Sequence, residues 1–156
     1  AFLSDELDTA FNFNGMRDRY TGYRQALAEA GISFNPKYHF EGEVGGWEAF
    51  QKAKELLALK DRPTGIFAAS DTYAIGVMKA AQEYNIEVPE ELSIIGFDGI
   101  RDAEYLGITT MKQPLYESGI EGVQLLFDAI DSGCDPHKRV QLPVKLTLRQ
   151  TTARLK

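Results

Sequence analysis

A chain of 156 residues suffices for one compact domain that buries about two-thirds of the surface its unfolded form exposes. Its 44% apolar and 26% charged residues are ordinary for a globular domain, and no run of about 18 apolar residues offers a membrane span. The formal charge of −6, with no basic stretch denser than His137-Lys138-Arg139, argues against a nucleic-acid-binding face in this segment, because such faces need cations to meet phosphates.

Ala1 to Glu6 carry neither the basic start nor the apolar segment of a signal peptide. They open without Met on Phe2-Leu3, which reads as the end of a strand in a chain that starts inside a longer protein. Ser4 to Gly15 read as a long polar loop. Met16, Tyr20, Tyr23, Leu27 and Ala30 recur at spacings of four and three and predict a helix, with Gly31 as its stop. Tyr38-His39-Phe40 suggests a short strand. A second helix is predicted over Gly46 to Leu57, burying Trp47, Phe50, Ala53 and Leu57. Pro63 blocks its continuation and leads into a strand over Gly65 to Ala68. Asp71 is placed as the N-cap of a third helix with Ala74, Ile75, Met78 and Ala81 inward and Asn85 at its C-terminus. Strands are predicted next over Leu92 to Phe97 and Ile108 to Met111. A fourth helix runs from about Leu115 to Asp131 with Tyr116, Ile120, Val123, Phe127 and Ile130 on one face, ended by Gly133. Val140 to Leu142 and Lys145 to Arg149 alternate as edge strands. Short apolar runs alternating with helical periods predict βαβ units, a largely parallel sheet and an α/β three-layer sandwich.

Cys134 is the only cysteine, so an internal disulfide or multi-cysteine metal site is ruled out, in keeping with a reducing compartment. His39 and His137 lie outside any metal-spaced motif and read as surface histidines. No nucleophile–base pair, phosphate loop or metal set is visible, so neither enzymatic activity nor a cofactor is expected.

Five blocks carry a resemblance. Pro63-Thr64-Gly65-Ile66-Phe67-Ala68-Ala69-Ser70-Asp71 with Ala74 and Gly76, Val88-Pro89-Glu90-Glu91-Leu92-Ser93-Ile94-Ile95-Gly96-Phe97-Asp98, Thr109-Thr110-Met111-Lys112-Gln113-Pro114, Leu148-Arg149-Gln150-Thr151-Thr152, and the helix from Arg17 to Leu27 stand in the order and spacing of LacI/GalR regulators. The chain therefore resembles the C-terminal part of that family's effector-binding core. The resemblance implies a type I periplasmic-binding-protein-like fold of two α/β lobes with effector held between them. It also implies a division of this chain: residues 1–108 as the C-terminal lobe, 109–136 as a crossover and helix belonging to the N-terminal lobe, and 137–156 as return strands. That orphaned helix should present an apolar face to strands of the other lobe.

Asp98 stands out on physical grounds. It follows an apolar strand and precedes Gly99, and ligands of parallel α/β sheets bind at strand carboxyl ends, where a carboxylate accepts hydroxyl hydrogen bonds strongly. A turn or cap role is the plainer reading. The resemblance adds an effector-binding role for Asp98, a polar effector-facing position for Ser70, and a forked effector contact for Arg19, which with Arg17 sits where the helix dipole disfavours a cation. Val44 stands where many relatives place an aromatic ring, and Gly15 where they often place a polar group; both departures weaken the case for flat stacking on a ring. Gln113 reads as a hinge-crossing residue able to reach the cleft. Ile75, Asp102, Tyr105 and Leu106 are dimer-interface candidates by resemblance, although Ile75 could equally be core.

The expected function is thus the sensing and dimerising part of a cytoplasmic repressor. Its effector is a sugar, sugar phosphate or similar polar molecule, it forms a homodimer, and it meets operator DNA only through an N-terminal helix-turn-helix outside this chain. An extracytoplasmic sugar-binding protein of a transporter is the alternative. A protein corepressor is disfavoured by the acidic late helix with Glu117, Glu121, Asp128 and Asp131.

Overall fold

Short apolar runs, most of them closed by a polar residue or glycine, become the strands of one sheet in the computed structural model, which describes residues 1–5, 7, 14–42, 45–132 and 138–154. The strands are β1 (Phe2–Asp5), β2 (His39–Gly42), β3 (Gly65–Ala68), β4 (Ser93–Asp98), β5 (Thr109–Lys112) and β6 (Lys145–Thr147), in the order β2-β1-β3-β4-β5-β6. The first five run parallel, and β6 closes the edge antiparallel to β5. Helices α1 (Asn14–Glu29), α2 (Gly46–Leu57), α3 (Asp71–Glu83), α4 (Arg101–Tyr105) and α5 (Leu115–Ser132) connect them.

Strand alternation sends successive side chains to opposite faces. Phe2 meets Tyr20 and Tyr23 of α1 at ring-centroid distances of 5.6 and 5.3 Å, whereas Leu3 joins Ala49, Phe50, Ala53, Tyr73 and Val77 of α2 and α3. The sheet is therefore sandwiched, with α1 on one face and α2 and α3 on the other, in the three layers the sequence pattern implies. Connections leave β1 toward β2 and later strands toward β3 and β4, so the winding reverses between β1 and β3.

Helix ends obey their local chemistry. Gly31, at φ +68°, closes α1 with Ile32 N–H donating to Leu27 O and Gly31 N–H to Ala28 O. Asn85, at φ +53°, ends α3 with the same pair of bonds, to Ala81 and Gln82.

Several expectations need correction. Trp47 is not buried but 67% exposed. Gly76 of α3 lets the backbone of α2 come so close that an added Cβ would stand 2.6 Å from Gly46 O, and that approach turns Ala49, Phe50 and Ala53 inward and Trp47 out. The same rotation makes Tyr73, Ala74, Val77, Ala80 and Ala81 the inner face of α3, leaving Ile75 and Met78 half-buried. Tyr38 belongs to a 3-10 turn (Pro36–Tyr38) capped by Asn35, so β2 starts one residue later. Only Lys145–Thr147 of the tail pairs as a strand, and Val140 to Leu142 do not. The short α4 had no sequence signal long enough to find. Gly133 lies outside the described residues. β5 is hydrogen-bonded into the main sheet, so the chain turns away from that sheet only at Gln113. In α5 the row Tyr116, Ile120, Val123, Phe127 and Ile130 is 53% to 79% exposed.

Candidate functional site

The parallel register lines up the carboxyl ends of five strands. Leu3 pairs with Ala68 and Phe67 with Ile95, so two or three further steps bring Asp5, Ser70 and Asp98 into one row, continued by the observed pairs Asp5 with Gly42 and Asp98 with Lys112. The β1/β3 winding reversal falls inside this row, where α/β sheets leave a crevice.

Arg19 reaches into the row from α1. The helix begins at Asn14, so Arg19 lies in its second turn, where the dipole penalty has faded. Its Nη1 donates to Ala69 O at 2.6 Å, its Nη2 lies 3.6 Å from Asp98 Oδ1, and its guanidinium carbon sits 3.8 Å from the centroid of the Phe97 ring. Gln113 Nε2 donates to the same Asp98 oxygen at 2.6 Å, and Gln113 N–H donates to Asp98 O. Arg19, Asp98 and Gln113 are thus brought together as expected from sequence. Burial pushes the Asp98 carboxyl above its ordinary value, opposed by the Arg19 charge and the Gln113 hydrogen bond. Burial likewise draws the Arg19 guanidinium down, opposed by Asp98 and Asp5.

Asp98 has φ +121°, a conformation that side chains rarely adopt. The next two residues hold the strain in place. Gly99, at φ +81°, and Ile100 donate their N–H groups to Asp71 Oδ2 at 2.7 and 2.9 Å. Asp71 is fully buried, and Gly96 leaves the room its carboxylate needs. Asp71 therefore is not the N-cap of α3. Ser70 is, its Oγ accepting from Tyr73 N–H at 3.3 Å. Ser and Asp are both good caps, and the distant Gly99 and Ile100 decide which one stays free for the β4 turn.

The remaining candidates separate. Val44 lies outside the described residues. Ile75 and Leu106 line one groove with Met78, Ile86 and Val88. Tyr105 is 80% exposed, and Asp102 is also exposed. Sequence reading missed Asp5 and Phe97. Asp5 closes β1 as Asp98 closes β4, and that parallel was the signal available for it. Among the described residues no group of three or more His, Cys, Asp or Glu side chains could hold a metal ion, and no helix is long and apolar enough to cross a membrane.

A parallel sheet between helix layers, with a charged cluster at the carboxyl lip of its winding reversal, is the architecture in which α/β proteins hold small ligands. The chain belongs to the periplasmic-binding-protein-like domain family, whose model matches residues 2–152. The HTH-type transcriptional repressor PurR of Vibrio campbellii is 31% identical to it over 141 residues, which cover 89% of this chain and 42% of that protein. Catabolite control protein A of Priestia megaterium is 32% identical over 154 residues, 97% of this chain and 46% of that one. A solved LacI family transcriptional regulator from Enterococcus faecium, with bound ribose, superposes with a TM-score of 0.86 at 30% identity, over 99% of this chain and 57% of that one. These relatives are transcriptional regulators rather than enzymes or transporter proteins. The chain spans about half the length of the relatives it matches.

Proposed function

We propose that this chain is the effector-binding and dimerising lobe of a cytoplasmic LacI-type repressor. The observation that carries the reading is the Arg19–Asp98–Gln113 cluster at the sheet's carboxyl lip, with Ser70 beside it. A guanidinium donates and a carboxylate accepts, so adjacent hydroxyls of a sugar or sugar phosphate find both partners there. The ribose in the E. faecium neighbour supports a sugar of this kind.

In this reading residues 1–112 and the return strand around 145–147 form one lobe, and the exposed apolar face of α5 packs against a second lobe. Gln113, hydrogen-bonded to Asp98 where the chain leaves the sheet, couples the hinge to the effector. Val44, a valine where many relatives carry an aromatic residue, supplies no ring to stack on the ligand. Ile75, Asp102, Tyr105 and Leu106 form the homodimer face, and operator DNA is met by a helix-turn-helix preceding this segment. Effector acts by favouring one relative arrangement of lobes over another.

Calorimetry of the full-length protein against a panel of sugars and sugar phosphates tests the site. Arg19→Ala and Asp98→Asn are each expected to weaken binding about tenfold or more, since each removes a charge-assisted hydrogen bond. Unchanged affinity in both variants would place the effector elsewhere.

A further inference from the structure

Asp5 ends β1 in the same row as Ser70 and Asp98, yet no described residue donates to its Oδ1. That oxygen is shielded from solvent. A buried carboxylate oxygen without a donor is costly. Asp71 Oδ1 is another, but its carboxylate is held through Oδ2 by two backbone N–H groups, whereas Asp5 stands at the lip. Burial pushes the Asp5 carboxyl above its ordinary value, with the charge of Arg19 opposing. Asp5, Arg19 and Asp98 therefore share one electrostatic site at the lip.

The charges around that site are uneven. Arg19 is already held by Ala69 O, Asp98 and the Phe97 ring, which leaves its outer N–H groups to serve hydroxyls. On the neighbouring strand Glu41 pairs with Ser4, one step before Asp5, so alternation turns its side chain to the other face, where it meets His39 and Leu7 N–H. Lys112 is the cation at the other end of the row, three strands and about 14 Å away, with its stem lying against Gly99. An anionic group entering at the β1 end meets the Asp5 carboxylate and no uncommitted cation among the described residues, whereas a hydroxyl meets an acceptor that lacks a donor.

We propose that Asp5 is a direct effector contact, its orphaned Oδ1 accepting a ligand hydroxyl, and that it restricts the site to neutral polyhydroxylated molecules over their phosphate esters. This rests on the reading of the lip as the effector site, and it narrows the ligand from a sugar or sugar phosphate to an uncharged sugar.

The test is calorimetric titration of the full-length protein with D-ribose, D-glucose and D-galactose and with the phosphate ester of each. A neutral sugar is expected to bind, with its ester about tenfold weaker or worse. Asp5→Asn is expected to lower affinity for the neutral sugar about fivefold while narrowing the gap to the ester. A thermal midpoint no lower than that of the parent shows that the variant folds. An ester that binds as well as its parent sugar, or an Asp5→Asn variant with both affinities unchanged, overturns the role of Asp5. Arg19→Ala and Asp98→Asn keep the two ideas apart. If they weaken or abolish binding while Asp5→Asn leaves both affinities unchanged, the lip remains the effector site and the Asp5 inference falls. If they leave binding intact, or if no sugar or ester binds, both fall.

Discussion

Asp71 gives up all contact with solvent to accept two backbone N–H groups, from Gly99 and Ile100, and so fixes the turn that carries Asp98. Asp71→Ala leaves both donors buried and unpaired. It is expected to cost about 3 kcal/mol in urea unfolding and to weaken effector binding, although Asp71 faces no ligand itself. Asp71→Asn keeps one acceptor oxygen and should lose less on both counts. Residue identities at the site were only partly legible in sequence. The position of Asp98 was, at the carboxyl end of an apolar strand, although a turn or cap was the plainer reading of it, and Arg19 was singled out by the family resemblance of its helix. The division of labour between Ser70 and Asp71 was not, because it depends on a turn 28 residues away. His39 offers a second residue-scale test. It stacks on Tyr20 at 4.5 Å with Glu41 Oε1 3.3 Å away, and burial draws its pKa below the ordinary 6.5. The unfolded chain takes up this proton first as pH falls, so the stability linked to neutral His39 is complete above pH 6.5 and is lost as pH drops toward the lower folded value. Unfolding free energies at pH 7.5 and 5.5 should differ less in His39→Phe, which keeps a ring against Tyr20, than in the parent. Asp5 and Asp98 act with the opposite sign. Their raised values make the ionised carboxyls a cost that grows as pH rises from 3.8 through the folded values, so Asp5→Asn is expected to stabilise the unliganded fold at neutral pH by under about 1 kcal/mol once solvent screening is allowed for.

At the scale of elements, the contact between α2 and α3 sets which side chains enter the core. An added Cβ at Gly76 would stand 2.6 Å from Gly46 O and 2.8 Å from Phe50 N, both backbone atoms that cannot swing aside. Gly76→Ala is therefore expected to cost about 1–3 kcal/mol by forcing the helices apart, measurable as a shift of the urea midpoint without a change in slope. The bounds of α2 were legible to the residue, since Pro63, the glycines at 45 and 46 and the apolar spacing all agree. Its rotation was legible in Phe50, Ala53 and Leu57, all buried, and missed at Trp47, which the close approach of Gly76 on another helix turns outward while Ala49 and Leu56 come in. The α5 row was read correctly as one face because its spacing is regular over four turns. Periodicity locates such a face on the helix without saying what covers it.

Among the described residues, beside single exposed side chains such as Trp47 and Leu148, two apolar surfaces stand out. One is the α5 row. The other is the groove joining Ile75 and Met78 to Ile86, Val88 and Leu106, with Tyr105 beside it. Isolated apolar side chains on a surface are ordinary, but contiguous ones mark places where protein meets protein. The two surfaces make separable predictions. In the full-length protein the α5 face is assigned to the second lobe, so Phe127→Lys should lower the thermal midpoint and leave the association state unchanged. The groove is assigned to a second copy, and there a charge should do the reverse. Leu106 is 45% exposed at the edge of the groove, so its replacement by Glu removes little from the core of the monomer. Leu106→Glu brings two like charges toward each other in any symmetric dimer built on this face, because a twofold axis repeats each substitution across the interface. Sedimentation of the full-length protein should show a dimer whose dissociation constant rises about tenfold or more in Leu106→Glu while the thermal midpoint of the dissociated form stays close to that of the parent. A parent that sediments as a monomer at high concentration, or a Leu106→Glu variant as tightly dimeric as the parent, would remove the groove as the homodimer face and leave α5 as the one surface in need of a partner.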